Sequence, residues 1–214
     1  MRVQNYKKKR EKRYICGMEK AIFTQIEALL KADRSVRRFD ESRAVDPHQL
    51  RALVGLTRYC ASGRNLQPLR YRIVSGREEC AALFPALAWA GYYTDWAGPA
   101  EGERPAAYIV QCLDTSLTTN PMCDEGLNLQ AITLGATALG LGGCIIKAFR
   151  RETVEKALGL PAHLEPRYVL ALGYPAEKVR IVDVGSDGDY RYYRDGDDTQ
   201  CVPKRSLDEL LVKP

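Results

Sequence analysis

The most constraining feature of this chain is a stretch from Gly126 to Ile146 that carries no charged side chain and is long enough to cross a bilayer. Something must bury it, either lipid or the rest of the protein. Asn128, Gln130, Thr133, Thr137 and five glycines fall inside it, and such residues disfavour a lipid-facing span. The stretch therefore reads as a buried helix from Glu125 to Leu139, a glycine-rich turn, and a short extended segment from Cys144 to Lys147. A chain of 214 residues, 45% of them hydrophobic, can supply the partners that such a helix needs. It would do so as one compact domain or as one protomer of a tight oligomer.

The flanking segments supply candidate partners. Ile22, Phe23, Ile26, Leu29 and Leu30 recur at helical spacing between Glu19 and Ala32. Asp46-Pro47 reads as an N-cap followed by proline at the first helical position, opening a helix to about Tyr59. Strands are expected at Arg70–Ser75, Ala106–Leu113 and Arg167–Gly173, with helices at Arg77–Phe84 and Glu152–Leu158. Residues 85–105 read as an irregular excursion holding Trp89, Tyr92, Tyr93 and Trp96, and residues 185–200 as an exposed connection. Alternating strands and helices point to an α/β or α+β sandwich.

The net charge of +5 is unevenly placed. Residues 1–17 hold seven lysines and arginines against Glu11, a balance of +6, which leaves −1 for residues 18–214. We therefore expect a flexible basic leader over 1–17, with Met18 as a possible start, and a single domain over 18–214. Nucleic-acid binding is not expected, since no aromatic RNA-binding motif or zinc finger accompanies the basic run. The basic N-terminus leads into no continuous apolar segment, so no secretion signal is read and a cytoplasmic location is expected. Seven scattered cysteines without a CxxC pair, and only two histidines, argue against a disulfide framework or a metal site. The cysteines read as small buried hydrophobes.

Four short motifs hold residues suited to a ligand. Arg34-Ser35-Val36-Arg37-Arg38-Phe39 places cations and a hydroxyl on one loop, a phosphate and carbonyl clamp or a solvated charged loop. Ser62-Gly63-Arg64-Asn65-Leu66-Gln67-Pro68 offers amide donors and acceptors, or an ordinary turn before a strand. Gly140-Leu141-Gly142-Gly143-Cys144-Ile145-Ile146-Lys147 is not a dinucleotide fingerprint: Ile145 stands where the last glycine should fall, and the run follows a helix. Its glycines let backbone approach something flat or pack a helix end closely. Pro203-Lys204-Arg205 is a phosphate partner or a basic tail.

In this order and spacing, the four motifs resemble those of the nitroreductase family over roughly residues 19–211. The resemblance implies an α+β, three-layer sandwich with a central, mostly antiparallel sheet flanked by helices, in an intertwined homodimer that binds FMN at the subunit interface. Arg34, Ser35 and Arg37 then match the loop on the FMN phosphate, ribityl chain and pyrimidine. Ser62, Asn65 and Gln67 match a segment that reaches the flavin from the partner subunit. Ile145, Ile146 and Lys147 match backbone beside the reactive flavin edge, and Lys204 and Arg205 match C-terminal cations on the phosphate. Asp33 stands where many relatives have another arginine, and Leu69 where an aromatic often follows the proline.

The implied activity is hydride transfer from NADH or NADPH to a nitroaromatic, quinone or similar small acceptor, by ping-pong kinetics. No side chain is required as acid or base, because the cofactor carries the chemistry. A dehalogenating or flavin-cleaving relative, or a flavin-binding protein without turnover, are the alternatives. The aromatic cluster of residues 89–96 would either roof the substrate pocket or pack its own excursion onto the core.

Overall fold

The computed structural model describes residues 20–212, so the basic segment 1–17 lies outside the described residues. The chain divides into two units, one ending at Asp33 and the other beginning at Arg34. In the first, residues 20–32 form helix α1. Its apolar positions Ile22, Phe23 and Ile26 are each more than half exposed in the single chain.

In the second unit, the main sheet contains β1 (Leu69–Val74), β2 (Ala107–Asp114), β3 (Gly142–Ile146) and β4 (Leu164–Gly173). Their order is β1-β2-β4-β3, and every neighbouring pair is antiparallel. All eight residues of β2 are buried, because helices cover both faces. On one face, Leu50 and Leu53 of α2 (Pro47–Leu56) and Leu129, Ile132 and Ala136 of α4 (Asp124–Ala138) pack with Ala107, Ile109, Leu170 and Leu172. On the other, α3 (Arg77–Leu83) and α5 (Arg151–Leu158) bring Cys80, Leu83, Val154 and Leu158 against Tyr108, Val110, Val169 and Ala171. Successive residues of a strand point to opposite faces, so β2 and β4 feed both cores at once.

Sequence expectations for the elements of the main sheet and its helices hold with two adjustments. The Asp46 side chain accepts from the His48 N–H at 2.8 Å and caps α2 as expected. The helix then tightens into a 3-10 turn at Thr57–Tyr59, earlier than its periodicity implies. Helix α4 is not buried all round: Leu127, and Leu139 at its C-cap, remain 42% and 43% exposed. Its inner side packs closely, since a Cβ at Gly135 would lie 2.4 Å from Leu56 Cδ1. No helix among the described residues is long and apolar enough to cross a membrane.

Residues 179–204 build a second, smaller sheet that the sequence did not reveal. Strand β5 (Val179–Asp183) pairs in parallel with β7 (Gln200–Lys204), and the two-residue strand β6 (Tyr193–Arg194) pairs antiparallel with β7. So the connection expected over 185–200 contains β6, too short to show any alternation. A four-residue helix, α6 (Leu207–Leu210), follows and is closed by a capping box from Ser206 and Glu209.

Four of the six described cysteines are buried, whereas Cys123 is exposed and Cys60 is intermediate. Desolvation pushes the Cys112 thiol up to about 12 and the Cys80 thiol up to about 11. Since the thiolate is the reactive form, native protein at about pH 8 should leave both unlabelled by maleimide, and denaturant should expose them. Labelling of Cys112 in the folded protein would contradict this packing.

Candidate functional site

The 34–39 segment runs along the outer edge of β3. Ser35 bridges Gly143 in parallel, and the Val36 N–H donates to the Gly143 carbonyl at 2.9 Å. Gly142 makes this approach possible: a Cβ there would lie 2.8 Å from Val36 Cγ2 and 2.9 Å from Pro175 Cγ. These glycines therefore seat the arginine loop against the sheet. Phe39 is fully buried and packs against Gly173, where a Cβ would come within 2.9 Å of its ring.

Within the loop, Arg34 is half-buried, Ser35 exposed, and Arg37 only 9% exposed. The Arg37 guanidinium lies 4.5 Å over the Tyr192 ring and beside the Cys144 thiol. Its Nε is closed off from solvent and has no hydrogen-bond partner. Among the described residues no carboxylate side chain forms an ion pair with it. Burying a guanidinium that no carboxylate pairs with is costly, which marks the position as a candidate for meeting a ligand. Tyr192 is in turn flanked by Tyr92, ring centroids 4.8 Å apart, and Tyr93, 5.3 Å. Trp89 instead enters the core. The aromatic excursion is thus divided, part core and part wall beside Arg37.

The 62–67 loop is held by a residue that sequence reasoning missed. Asp124, at the first turn of α4 and 2% exposed, accepts from Ser62 Oγ at 2.5 Å and from the Gly63 N–H at 2.8 Å. Ser62 Oγ also accepts from the Gln67 N–H at 2.9 Å. Arg64, Asn65 and Gln67 all have positive φ, between 50° and 54°. Three non-glycine residues in that region within four positions is stored strain, a feature that clusters at functional sites. Ser62, Asn65 and Gln67 line a cleft of ≈ 560 Å³ together with Arg58, Tyr71 and Asn128.

The register fixes where these two groups stand. Ser35 lies beyond β3 at the level of Gly143 and Leu172, while the 62–67 loop enters β1 at Leu69, level with Leu113 and Glu165. They occupy diagonally opposite corners of the sheet, about 19 Å apart across the strands and about 23 Å along them. One chain does not bring them together.

Of the remaining predicted residues, Ile145 and Ile146 continue β3 just past the Ser35 bridge, with Lys147 following, whereas Lys204 and Arg205 line another cleft. Ile146 is buried in the core, Ile145 is 42% exposed, and Lys147 Nζ donates to the Arg167 carbonyl at 3.2 Å while lying 4.2 Å over the Tyr168 ring. Past Gly143, the outer edge of β3 meets no strand or bridge among the described residues, leaving its backbone groups open. Lys204 and Arg205 line a second cleft of ≈ 630 Å³ with Tyr190 and Leu210, which none of residues 34–37 lines.

The model of the nitroreductase family matches residues 30–105 and 114–174, well over half of the sequence. The chain belongs to the nitroreductase family. A relative from Methanothermobacter thermautotrophicus, carrying the provisional name NADH dehydrogenase/NAD(P)H nitroreductase, is 27% identical over 155 residues, 69% of this chain and 76% of its own length. A similarly named crystal structure from Parabacteroides distasonis is 26% identical with a TM-score of 0.60, covering 72% of this chain and 89% of that one. A structure from Exiguobacterium sibiricum, provisionally named a nitroreductase and solved in complex with FMN, is 18% identical with a TM-score of 0.57, covering 70% of this chain and 87% of that one. The α+β architecture expected from the motifs, an antiparallel sheet flanked by helices, is the nitroreductase fold found here, and the family is one of flavin-linked oxidoreductases.

The family match ends at residue 174, before the small sheet begins. Tyr192 and its neighbours Glu177 and Arg194 therefore come from outside the matched segment, and no motif marks them. Asp124 carries one signal, a carboxylate in the first turn of a helix, where the dipole favours it.

Proposed function

We propose that this chain is an FMN-dependent oxidoreductase that takes hydride from NADH or NADPH and reduces a small acceptor such as a nitroaromatic or a quinone. The observation that carries the reading is Arg37, a buried guanidinium with an unpartnered Nε on the loop whose pattern matches the family. A pyrimidine carbonyl or the negative charge of a reduced ring would supply the missing acceptor. The residues present fit FMN.

Bound FMN would supply the redox chemistry, accepting hydride and giving it up to the acceptor. The chain's own residues would bind and orient. Arg34 and Ser35 would hold the phosphate and ribityl chain and Arg37 the pyrimidine, whereas Lys204 and Arg205 line a separate cleft and are assigned to the phosphate by the family pattern alone. The open backbone edge at Ile145, Ile146 and Lys147 would face the ring's edge. Ser62, Asn65 and Gln67 of the partner subunit would complete the site, because the same residues of one chain stand at the far corner of its sheet. A homodimer is supported further by the uncovered apolar positions Ile22, Phe23 and Ile26 of α1, Leu127 of α4 and Leu139 at its C-cap. Donor and acceptor would use one space in turn, giving ping-pong kinetics, and no side chain is assigned as acid or base. Free cysteines suit a cytoplasmic location.

The test is an absorbance spectrum of the purified chain, before and after anaerobic NADH or NADPH. A flavin spectrum that bleaches on addition, and returns when a quinone is added, supports the oxidoreductase. A bound flavin that neither donor bleaches would instead indicate a binding protein without turnover. A colourless protein that takes up no added FMN would remove the cofactor assignment.

A further inference from the structure

We infer that Glu177, held by Arg194, is the positioning residue that sets the backbone of the arginine loop, so that the small C-terminal sheet acts as a brace on the flavin clamp. The Glu177 side chain is 2% exposed. Its Oε1 accepts the consecutive backbone N–H groups of Arg37 and Arg38, the latter at 3.2 Å. Its Oε2 accepts from the Arg194 guanidinium, itself 17% exposed. A buried carboxylate on two successive amides fixes the direction of the chain between them, and with it the exit of the Arg37 side chain.

The brace has a second tie. Arg194 also reaches the Asp198 carbonyl at 2.9 Å, and Asp198 Oδ2 pairs with Arg38 at 2.6 Å. The loop is thus gripped at its backbone by Glu177 and at the Arg38 side chain by Asp198, both tied to Arg194. Arg194 lies in β6 and Asp198 in the turn to β7, whereas Glu177 sits just ahead of β5. Tyr192, just ahead of β6, covers the Arg37 guanidinium. The contacts of Glu177 with the Arg37 amide and of Tyr192 with its guanidinium therefore come from beyond the family match, whereas Gly143 and Glu103 hold the neighbouring Val36 and Phe39 from within it.

This inference rests on the proposed flavin site for its consequence but not for its geometry, and the test separates the two. Removing Arg194 alone would leave the buried Glu177 charge unpaired, so the chief variant is the apolar pair Glu177→Leu with Arg194→Met. Hydrogen exchange at the Arg37 and Arg38 amides, read in flavin-free protein, should quicken by roughly tenfold or more once their acceptor is gone. In the same variant the dissociation constant for added FMN should rise by roughly tenfold, while turnover at saturating FMN falls by less than the affinity does. Glu177→Gln, which keeps one acceptor oxygen, should restore part of both. If the pair variant unfolds, Glu177→Ala alone, which leaves Arg194 its Asp198 partner, is read in the same way. Unchanged amide exchange in a folded variant overturns the brace. Faster exchange with unchanged FMN affinity also overturns it as a positioning device. Faster exchange in a chain whose parent takes up no FMN upholds the backbone contact and removes the flavin reading instead.

Discussion

Replacing Asp124 with alanine should lower the melting temperature by about 5–15 °C and weaken FMN retention by at least roughly tenfold. The carboxylate is buried and accepts two hydrogen bonds, from Ser62 Oγ and the Gly63 N–H. Hydrogen bonds to charged groups contribute about 1.5–3 kcal/mol each, and here they oppose backbone strain of at least about 1 kcal/mol at each of three positive-φ residues. Without the anchor, Arg64, Asn65 and Gln67 relax toward ordinary conformations, and the amide groups offered to a flavin lose their orientation. Asp124→Asn, which keeps an acceptor oxygen, should recover part of the loss. Thermal unfolding and FMN titration read both effects, and an unchanged melting temperature in the alanine variant would show that the loop holds itself.

Arg37→Met should act with opposite signs on stability and chemistry. The hydride-transfer step should slow by about 100-fold, the scale seen when one preorganised stabiliser of developing charge is removed. The flavin potential should fall, since a cation beside the pyrimidine favours the reduced, anionic ring. Yet the flavin-free protein should melt no lower than the parent, because the variant replaces a buried guanidinium that no carboxylate pairs with by an apolar chain of similar length. Anaerobic stopped-flow reduction and calorimetry of the flavin-free chain measure the two. A large drop in stability with an unchanged hydride rate would make Arg37 a structural residue and remove it from the site.

The comparison of sequence with structure divides along the range of the interactions. Elements set by local rules were legible: the Asp46-Pro47 cap, the apolar β2, the strands flanking the long uncharged helix. The motif residues were legible as a set because their order and spacing match a family. Their partners were not. Glu177 meets Arg37 across 140 positions and Asp124 meets Ser62 across 62, and neither pairing leaves a periodic trace. Strand β6 is two residues long and sits among Asp-Gly turns, so nothing in its own composition separates it from loop. The glycines before Cys144 were legible as a close approach, but only the register reveals that the arginine loop is what approaches.

The diagonal placement of the two motif corners has a consequence for inheritance. If each site takes one corner from either chain, then a dimer holds two sites that share no residue. A cell with one normal gene and one Arg37→Met gene would make mixed dimers with one sound site and one damaged site. The damaged copy would then lower activity in proportion to its dosage and would not poison the normal one.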